Sequence, residues 1–410
     1  MDNHHCRFCG KELKHTMADL GFSPISNEYI TKEHLDKGQY YYPLMVKVCD
    51  TCLLAQAMVY QKPENIFTDY KYFSSFSKSW LLHCQKYVDG IVKKLNLNVE
   101  SKVYEVACND GYLLQYFKPY SISTYGIEPA ENVAIEARKK GIDVVVSFFS
   151  KDFAMELVKS KEKADLIIGN NVLAHVPDIG DFVAGLKILL KPLGSITMEF
   201  PHLKQLLQLN QFDTIYHEHF SYLSLLAINK IFFENGLKIY DVEELSTHGG
   251  SLRIYATHIE NLKLSISAAV NKVLEDEIEY GMNQSNIYIS FKEKIEKIKI
   301  ESFITLANLK NQGMKIAAFG AAAKGNTFLN YCGIGKEYID FVADSSTAKQ
   351  GLYLPGTCIP IVSPDVIIEE KPDYIIFLAW NLKEEFSYIL EYTREWNCKF
   401  ITFIPELEVF

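Results

Sequence analysis

The sequence predicts an α/β protein in three parts: a small metal-stapled N-terminal unit, a central nucleotide-binding unit on a parallel sheet, and a second Rossmann-like α/β unit at the C-terminal end. Three observations predict it. Two C-x-x-C pairs stand within the first 52 residues, strand and helix patterns alternate through residues 76–263, and a second strand, small-residue turn and helix open at KIAAFGAAAKGN within residues 264–410. A chain of 410 residues with 48% hydrophobic side chains has material for more than one core. Its net charge of -9 argues against broad binding to nucleic acid or to an anionic membrane. The opening MDNHHCRFCG lacks a basic-then-apolar leader, and no apolar run is long enough to span a bilayer, so a cytoplasmic protein is expected.

The first part, residues 1–75, is organised by Cys6-x-x-Cys9 and Cys49-x-x-Cys52. Each pair offers two thiolates to one tetrahedral ion, and two such knuckles complete a four-cysteine zinc site that staples a segment too small to fold on its own core. Nine cysteines in a chain without a leader fit metal binding and burial better than a disulfide framework. Cys84, Cys108, Cys332, Cys358 and Cys398 are isolated and are expected as buried small hydrophobes. A helix over residues 79–95 then leads into the central part.

Residues 103–129 read VYEVACNDGYLLQYFKPYSISTYGIEP, the outline of a β-α-β nucleotide site. Glu105 closes the first strand, and Asn109, Asp110 and Gly111 turn the chain into a helix. Glu128 closes the next strand, where it can accept hydrogen bonds from two ribose hydroxyls. A dinucleotide fold would place G-x-G-x-x-G here, but Ala107, Cys108 and Asn109 occupy glycine positions, which disfavours close approach of a pyrophosphate. A ligand with a ribose and no phosphate fits better, and that points to S-adenosylmethionine. A strand over residues 142–147 ends in a loop whose Phe148 can cover an adenine. The following ADLIIGNNVLAHVPD ends a strand at Gly169 and places Asn170, Asn171 and His175 in the next loop.

A second chemical constellation, TIYHEHFSYLS at residues 214–224, follows a strand ending at Pro201 and so falls near the carboxyl edge of the sheet, where open α/β folds bind ligands. A strand would throw Glu218 to the face opposite His217 and His219, whereas a turn can gather all three. Tyr216 and Tyr222 flank them. Residues 264–311 are charged and helical in character, with the charge on a solvated face. Beyond them, Gly320 to Ala323 form a small-residue turn, Lys324 and Asn326 can meet a phosphate at the helix start, and Asp344 ends a further strand.

Taken together, the four-cysteine segment, E-x-A-C-N-D-G, AHVPD, YHEHFSY, HGGSLR at residues 248–253 and G-A-A-A-K-G-N make the chain resemble the sugar C-methyltransferases that build branched deoxysugars on nucleotide carriers. The resemblance spans nearly the whole length. It implies methylation of C3 of a nucleoside-diphosphate 4-keto-6-deoxysugar by S-adenosylmethionine, with the C-terminal part helping to hold the nucleotide. It places Tyr70, His175, Tyr216, Glu218 and His219 at active-site positions, with His219 as general base, and sets His248 and Arg253 of HGGSLR beside the substrate. A monomer acting on a small nucleotide sugar, without nucleic acid or membrane as partner, is expected.

The residues suit that reaction. A carbon next to a ketone is acidified because charge spreads onto the carbonyl oxygen, so one base and one or more oxyanion donors are needed. Histidine serves as the base, the hydroxyls of Tyr70, Tyr216 or Tyr222 and the ring of His175 as donors, and Glu218 orients an imidazole or grips a sugar hydroxyl. Two rivals stay open on sequence alone: methyl transfer to oxygen or nitrogen of a sugar, and a non-catalytic zinc-stapled scaffold.

Overall fold

The computed structural model describes residues 3–61 and 73–410, so Tyr70 lies outside the described residues. In the N-terminal unit β1 (His15–Ser23), β2 (Tyr42–Val48) and β3 (Ala55–Ala57) form an antiparallel sheet. The two cysteine knuckles share one local geometry. In each, the residue after the second cysteine is left-handed, Gly10 at φ 69° and Leu53 at φ 60°, and its N–H donates to the carbonyl of the first cysteine at 2.9 Å.

The central sheet uses β4 (Lys102–Val106), β5 (Ser123–Glu128), β6 (Asp143–Val146), β7 (Ala164–Asn170) and β8 (Leu190–Pro201), all parallel. After β8 the chain lays down β9 (Ser221–Tyr222), which pairs with β3 of the N-terminal sheet, and then β10 (Leu237–Leu245) and β11 (Ser251–His258). The seven strands run in the order β10-β11-β8-β7-β4-β5-β6, with β11 antiparallel to both neighbours. The order reverses between β4 and β7, the switch point at whose carboxyl ends open α/β sheets bind ligands in a crevice. The helix Lys78–Lys94 lies on this sheet through Cys84, Tyr87, Val88, Ile91 and Val92, and Ser77 caps it by accepting from the Trp80 N–H at 3.2 Å.

The predicted helical stretch after residue 264 is two helices, Ala268–Glu279 and Ser285–Asn311. The second buries Tyr288, Phe291, Ile295, Ile298, Ser302 and Leu306 at helical spacing and turns outward the ion pairs Lys292–Glu296 (3.7 Å) and Lys297–Glu301 (3.6 Å). The C-terminal sheet has β12 (Ile316–Phe319), β13 (Val342–Ala343), β14 (Ile361–Val362), β15 (Tyr374–Phe377) and β16 (Lys399–Thr402) parallel and β17 (Glu408–Val409) antiparallel, in the order β14-β13-β12-β15-β16-β17.

The three units are welded by one core. Met17 and Leu44 of the N-terminal sheet, Phe212 and Ile215 from the chain between β8 and β9, and Phe328 and Leu329 of the helix Ala323–Cys332 belong to a single buried cluster. The loop carrying His217 to His219 is thereby held from three sides. No helix among the described residues is long and apolar enough to cross a membrane.

Candidate active site

The methyl-donor crevice starts from the turn after β4. Ala107 (φ 59°), Asn109 (φ 49°) and Gly111 (φ 73°) are left-handed in alternation. The sequence reading put Cys108 among the glycine positions; its side chain instead goes into the core beneath Gly126, where an added Cβ would stand 2.4 Å from its sulfur. Left-handed backbone costs an L-residue about 1–2 kcal/mol, and hydrogen bonds offset that cost here. The Asn109 N–H donates to Glu128 Oε2 at 2.9 Å, and Asn109 Oδ1 accepts the Ser74 N–H at 3.0 Å. Gly111 is required twice over, by its φ and because a Cβ there would lie 2.3 Å from Ile142 Cδ1.

Glu128 ends β5 with its carboxylate bridging two loops, since Oε1 also accepts the Ala130 N–H at 3.0 Å. Burial pushes its pKa up to about 7, against the pull of the Ala130 and Asn109 N–H groups. Glu105, wholly buried at the end of β4, is pushed well above the carboxylate range by burial, with the Tyr112 hydroxyl opposing and Glu128 and Asp110 adding to the rise. Asp110 pairs with Lys140 at 3.3 Å through Oδ2. Asn170 and Asn171 follow β7, and Phe148, 38% exposed, stands after β6. Asp110 Oδ1, Asn170 Nδ2 and Asn171 Oδ1 are buried without a hydrogen-bond partner among the described residues. Buried carboxylates beside orphaned amide and carboxylate atoms fit a ligand that brings an ammonium, a carboxylate and a ribose diol.

Across the crevice, the segment read as a possible gathering of three groups sends its side chains to different partners. A turn closes with the His219 N–H on the Tyr216 carbonyl at 2.9 Å. It sends His217 away to the N-terminal sheet, where its Nε2 lies 3.3 Å from the Pro43 carbonyl and its ring meets Tyr42. His219 and His175 come together with ring centroids 4.7 Å apart. His219 Nδ1 lies 2.8 Å from the Thr214 carbonyl, and His175 Nδ1 lies 2.8 Å from the Glu218 carbonyl. A carbonyl can only accept, so each Nδ1 carries the proton and Nε2 carries the lone pair. Burial holds His219 well below the usual imidazole range, with His175, Lys324 and His248 adding to the fall, and burial brings His175 down to about 4. Both rings are neutral near pH 7.

Tyr216 lies over His219 with centroids 4.0 Å apart, and Tyr222 presents its ring at 6.2 Å. Glu218 is 3% exposed, accepts from Asn27 Nδ2 at 2.6 Å, and is pushed by burial up to about 7. Asn27 comes from the N-terminal unit, and so does Tyr29, whose hydroxyl donates to the Ala321 carbonyl at 2.7 Å.

The residues expected to hold substrate separate. Lys324 acts by its charge on His219, and its Nζ donates to Asn381 Oδ1 at 3.2 Å and lies 5.2 Å from the Trp380 ring centre. Asn326 does not accompany it: Nδ2 donates to the Ser26 carbonyl at 2.6 Å, and the residue, 2% exposed, ties the C-terminal unit to the N-terminal one. The turn before it is closed on itself, because the Ala321 N–H is given to Asp344 Oδ2 at 2.7 Å and its carbonyl is taken by Lys349 at 2.7 Å as well as by Tyr29. His248 (φ 54°) meets Asn171, Nδ2 to Nε2, at 3.0 Å. Arg253 lies deeper, its guanidinium bound to Glu199 at 2.6 Å and Glu243 at 3.0 Å. Glu199 also takes His83 at 2.9 Å and the Thr247 hydroxyl at 3.0 Å. His83 stacks on Trp80, which contacts Tyr112 and His248 in turn.

Asn27, Trp80, Glu199, Asp213 and Trp380 were not singled out from sequence. Glu199 alone carried a signal, an acid at a strand end like Glu105 and Glu128. The other four matter through contacts made more than 100 residues away or through stacking that no spacing encodes.

At the N-terminal unit, Cys6, Cys9, Cys49 and Cys52 bring their sulfurs within 4.8 Å of one another. A tetrahedron with metal–sulfur bonds of about 2.3 Å needs sulfurs about 3.8 Å apart. The pairs Cys6–Cys52 at 3.5 Å and Cys9–Cys49 at 3.4 Å match, and Gln56 Nε2 donates to Cys6 Sγ at 3.2 Å as an outer-shell partner. The four thiolates fit a structural zinc ion and leave it no open position for chemistry.

Comparison with known proteins agrees with this geometry. Residues 6–67 match a zinc binding domain, residues 81–242 a methyltransferase domain, and residues 246–405 the C-methyltransferase C-terminal domain. The C-methyltransferase NovU of Streptomyces niveus is 32% identical over 407 residues, covering 98% of this chain and 96% of NovU. A ubiquinone biosynthesis O-methyltransferase of Rhodopseudomonas palustris (strain BisA53) is 26% identical over 115 residues, 27% of this chain and 44% of that enzyme. Among solved structures, the PH0226 protein from Pyrococcus horikoshii OT3 covers 48% of this chain and 99% of its own at 14% identity and a TM-score of 0.39. The chain belongs to the C-methyltransferase family, as an S-adenosylmethionine-dependent enzyme with an N-terminal zinc-binding domain.

Proposed function

We propose that the enzyme methylates C3 of a nucleoside-diphosphate 4-keto-6-deoxysugar through an enolate, in a reducing, cytoplasmic setting that keeps its thiols free. The observation that carries this reading is the fixed tautomer of His219. With Nδ1 committed to the Thr214 carbonyl, Nε2 is a neutral base beside His175 and Tyr216. Such a base takes a proton from carbon only where a neighbouring carbonyl can hold the charge, and the cluster supplies donors for that oxygen. Tyr216, with Tyr222, is assigned to the oxyanion and Glu218 to a sugar hydroxyl; His175, expected from sequence as a further donor, has its proton on Nδ1 at the Glu218 carbonyl and is left out of that role; Tyr70 keeps its place from the family resemblance.

Bound S-adenosylmethionine supplies an electrophilic methyl on a sulfonium. The chain's own contribution is to bind the donor between Glu105, Asn109, Asp110, Gly111, Glu128, Phe148, Asn170 and Asn171, to bring C3 into line with it, and to keep water out. We assign residues 1–75 to the zinc-stapled domain, 76–263 to the donor domain and 264–410 to the domain that holds the carrier nucleotide, with Lys324 and His248 on the substrate side and Asn326 and Arg253, expected there too, taken up by Ser26 and by Glu199 and Glu243, and we take a monomer as sufficient. The test is incubation of the pure protein with a panel of nucleotide keto-sugars and labelled methyl donor. The reading requires a product whose methyl survives conditions that cleave O-methyl ethers. A cleavable methyl would establish transfer to oxygen instead.

A further inference from the structure

Lys324 is a half-buried cation with an unusual surround. It leaves the first turn of the helix Ala323–Cys332 and crosses from the C-terminal unit toward the catalytic histidines. Among the described residues one of its three N–H donors is used, on Asn381 Oδ1 at 3.2 Å. The ring of Trp380 lies 5.2 Å away, and that ring's Nε1 donates to Asp213 Oδ2 at 2.8 Å. Asp213 is 1% exposed, and its Oδ1 has no partner among the described residues. Its neighbour Thr214 is the residue whose carbonyl fixes His219. A lysine, an indole and a carboxylate therefore share one wall with the base. His219 and His248 both feel the Lys324 charge.

A grip on a phosphate, expected from sequence at Lys324 and Asn326, would use the turn N–H groups as well. The Asn326 amide is engaged by Ser26, and the Gly320 and Ala321 N–H groups ahead of the helix are given to the Ala343 carbonyl and to Asp344. We infer that Lys324 is a catalytic residue whose ammonium faces the C4 oxygen of the substrate and stabilises the enolate, with Asp213 as a positioning residue that keeps it charged. The inference rests on the C3 chemistry proposed above. In the step it assists, the C3–H bond breaks, the proton passes to His219 Nε2, the bonding pair forms the C3–C4 double bond, and the carbonyl pair moves onto the C4 oxygen opposite the ammonium. A fixed cation in a water-poor site stabilises that charge more than it stabilises the neutral ketone, which makes it catalytic rather than merely adhesive.

The experiment compares wild type, Lys324→Met, Lys324→Arg and Asp213→Asn, each checked for S-adenosylmethionine binding as a measure of fold. Exchange of the C3 proton with deuterated solvent, methyl transfer at saturating sugar, and calorimetric binding of thymidine, uridine and guanosine diphosphate are read side by side. Lys324→Met should lower exchange and transfer together by on the order of 100-fold. Its affinity for the diphosphate the wild type prefers should stay within about threefold, and Lys324→Arg should recover part of the rate. Burial lowers the Lys324 pKa and Asp213 raises it, with His219 and His248 the other titratable groups facing it. Asp213→Asn should therefore move the alkaline fall in exchange rate to lower pH. A Lys324→Met enzyme that exchanges C3 at the wild-type rate when saturated, and binds the diphosphate at least tenfold more weakly, overturns the inference and makes Lys324 a phosphate grip. Absence of C3 exchange in the wild type itself would refute the C3 chemistry, and this role with it.

Discussion

Replacing Glu128 by alanine should remove more than the ribose contact proposed for it. The carboxylate accepts the Asn109 N–H at 2.9 Å and the Ala130 N–H at 3.0 Å, so its loss strands two donors and frees a left-handed Asn109 that it helps to hold. A buried donor left without a partner costs about 1–3 kcal/mol, and water entering the vacated space recovers part of that. Adding the ribose bonds, donor affinity should fall by roughly 2–4 kcal/mol, on the order of 30- to 1,000-fold in Kd. Glu128→Gln keeps one carbonyl acceptor and should lose roughly half as much free energy. Calorimetric titration of wild type and both variants with S-adenosylmethionine and with S-adenosylhomocysteine measures this directly. A Glu128→Ala protein that binds either ligand within about threefold of wild type would refute both the placement of the donor and the bridging role.

Three further outcomes are expected. Protein purified without chelator should contain one zinc per chain, and Cys6→Ser or Cys49→Ser should expose the N-terminal unit to protease, because metal ligation supplies folding energy that its small sheet lacks; metal analysis decides. Glu218 has a pKa raised to about 7, so its carboxylate form is present above that value and lost as pH falls through it. Consequently kcat/KM should decline on that acid limb, Glu218→Gln should flatten the limb, and Asn27→Leu, which removes a donor to the ionised form, should shift it to higher pH in a rate profile. Gly111→Ala places a methyl 2.3 Å from Ile142 Cδ1 at φ 73° and should weaken S-adenosylmethionine binding by more than the roughly 1–2 kcal/mol of backbone strain alone, read by the same titration.

Local pattern carried the strands of the central sheet and the two knuckles because each is written in contiguous residues. Glu105 and Glu128 were legible as acids closing strands, and both stand at the carboxyl ends of buried runs. The donor turn was half legible. Its left-handed positions are Ala107, Asn109 and Gly111, and nothing in the residue types announces that an alanine takes φ 59°. The catalytic cluster was read as three groups, yet His217 faces the Pro43 carbonyl, because a two-residue turn points neighbouring side chains in different directions. Least legible was the contribution of distant units. Asn27 to Glu218 spans 191 residues and Trp380 to Asp213 spans 167, and these bonds exist only because one core joins the N-terminal, central and C-terminal parts.

The catalytic account turns on which group removes the proton. Mixing His219→Ala with a nucleotide 4-keto-6-deoxysugar in deuterated water and following the C3 signal by NMR isolates that step from methyl transfer. With Nε2 gone, the nearest remaining imidazole lone pair is Nε2 of His175, in a ring centred 4.7 Å from that of His219 and so not at the same place. Exchange should fall by on the order of 100- to 10,000-fold, the range for loss of a general base, while S-adenosylmethionine and the nucleotide sugar still bind. His219→Ala protein that exchanges the C3 proton at the wild-type rate would contradict the assignment and shift the base to His175 or Glu218.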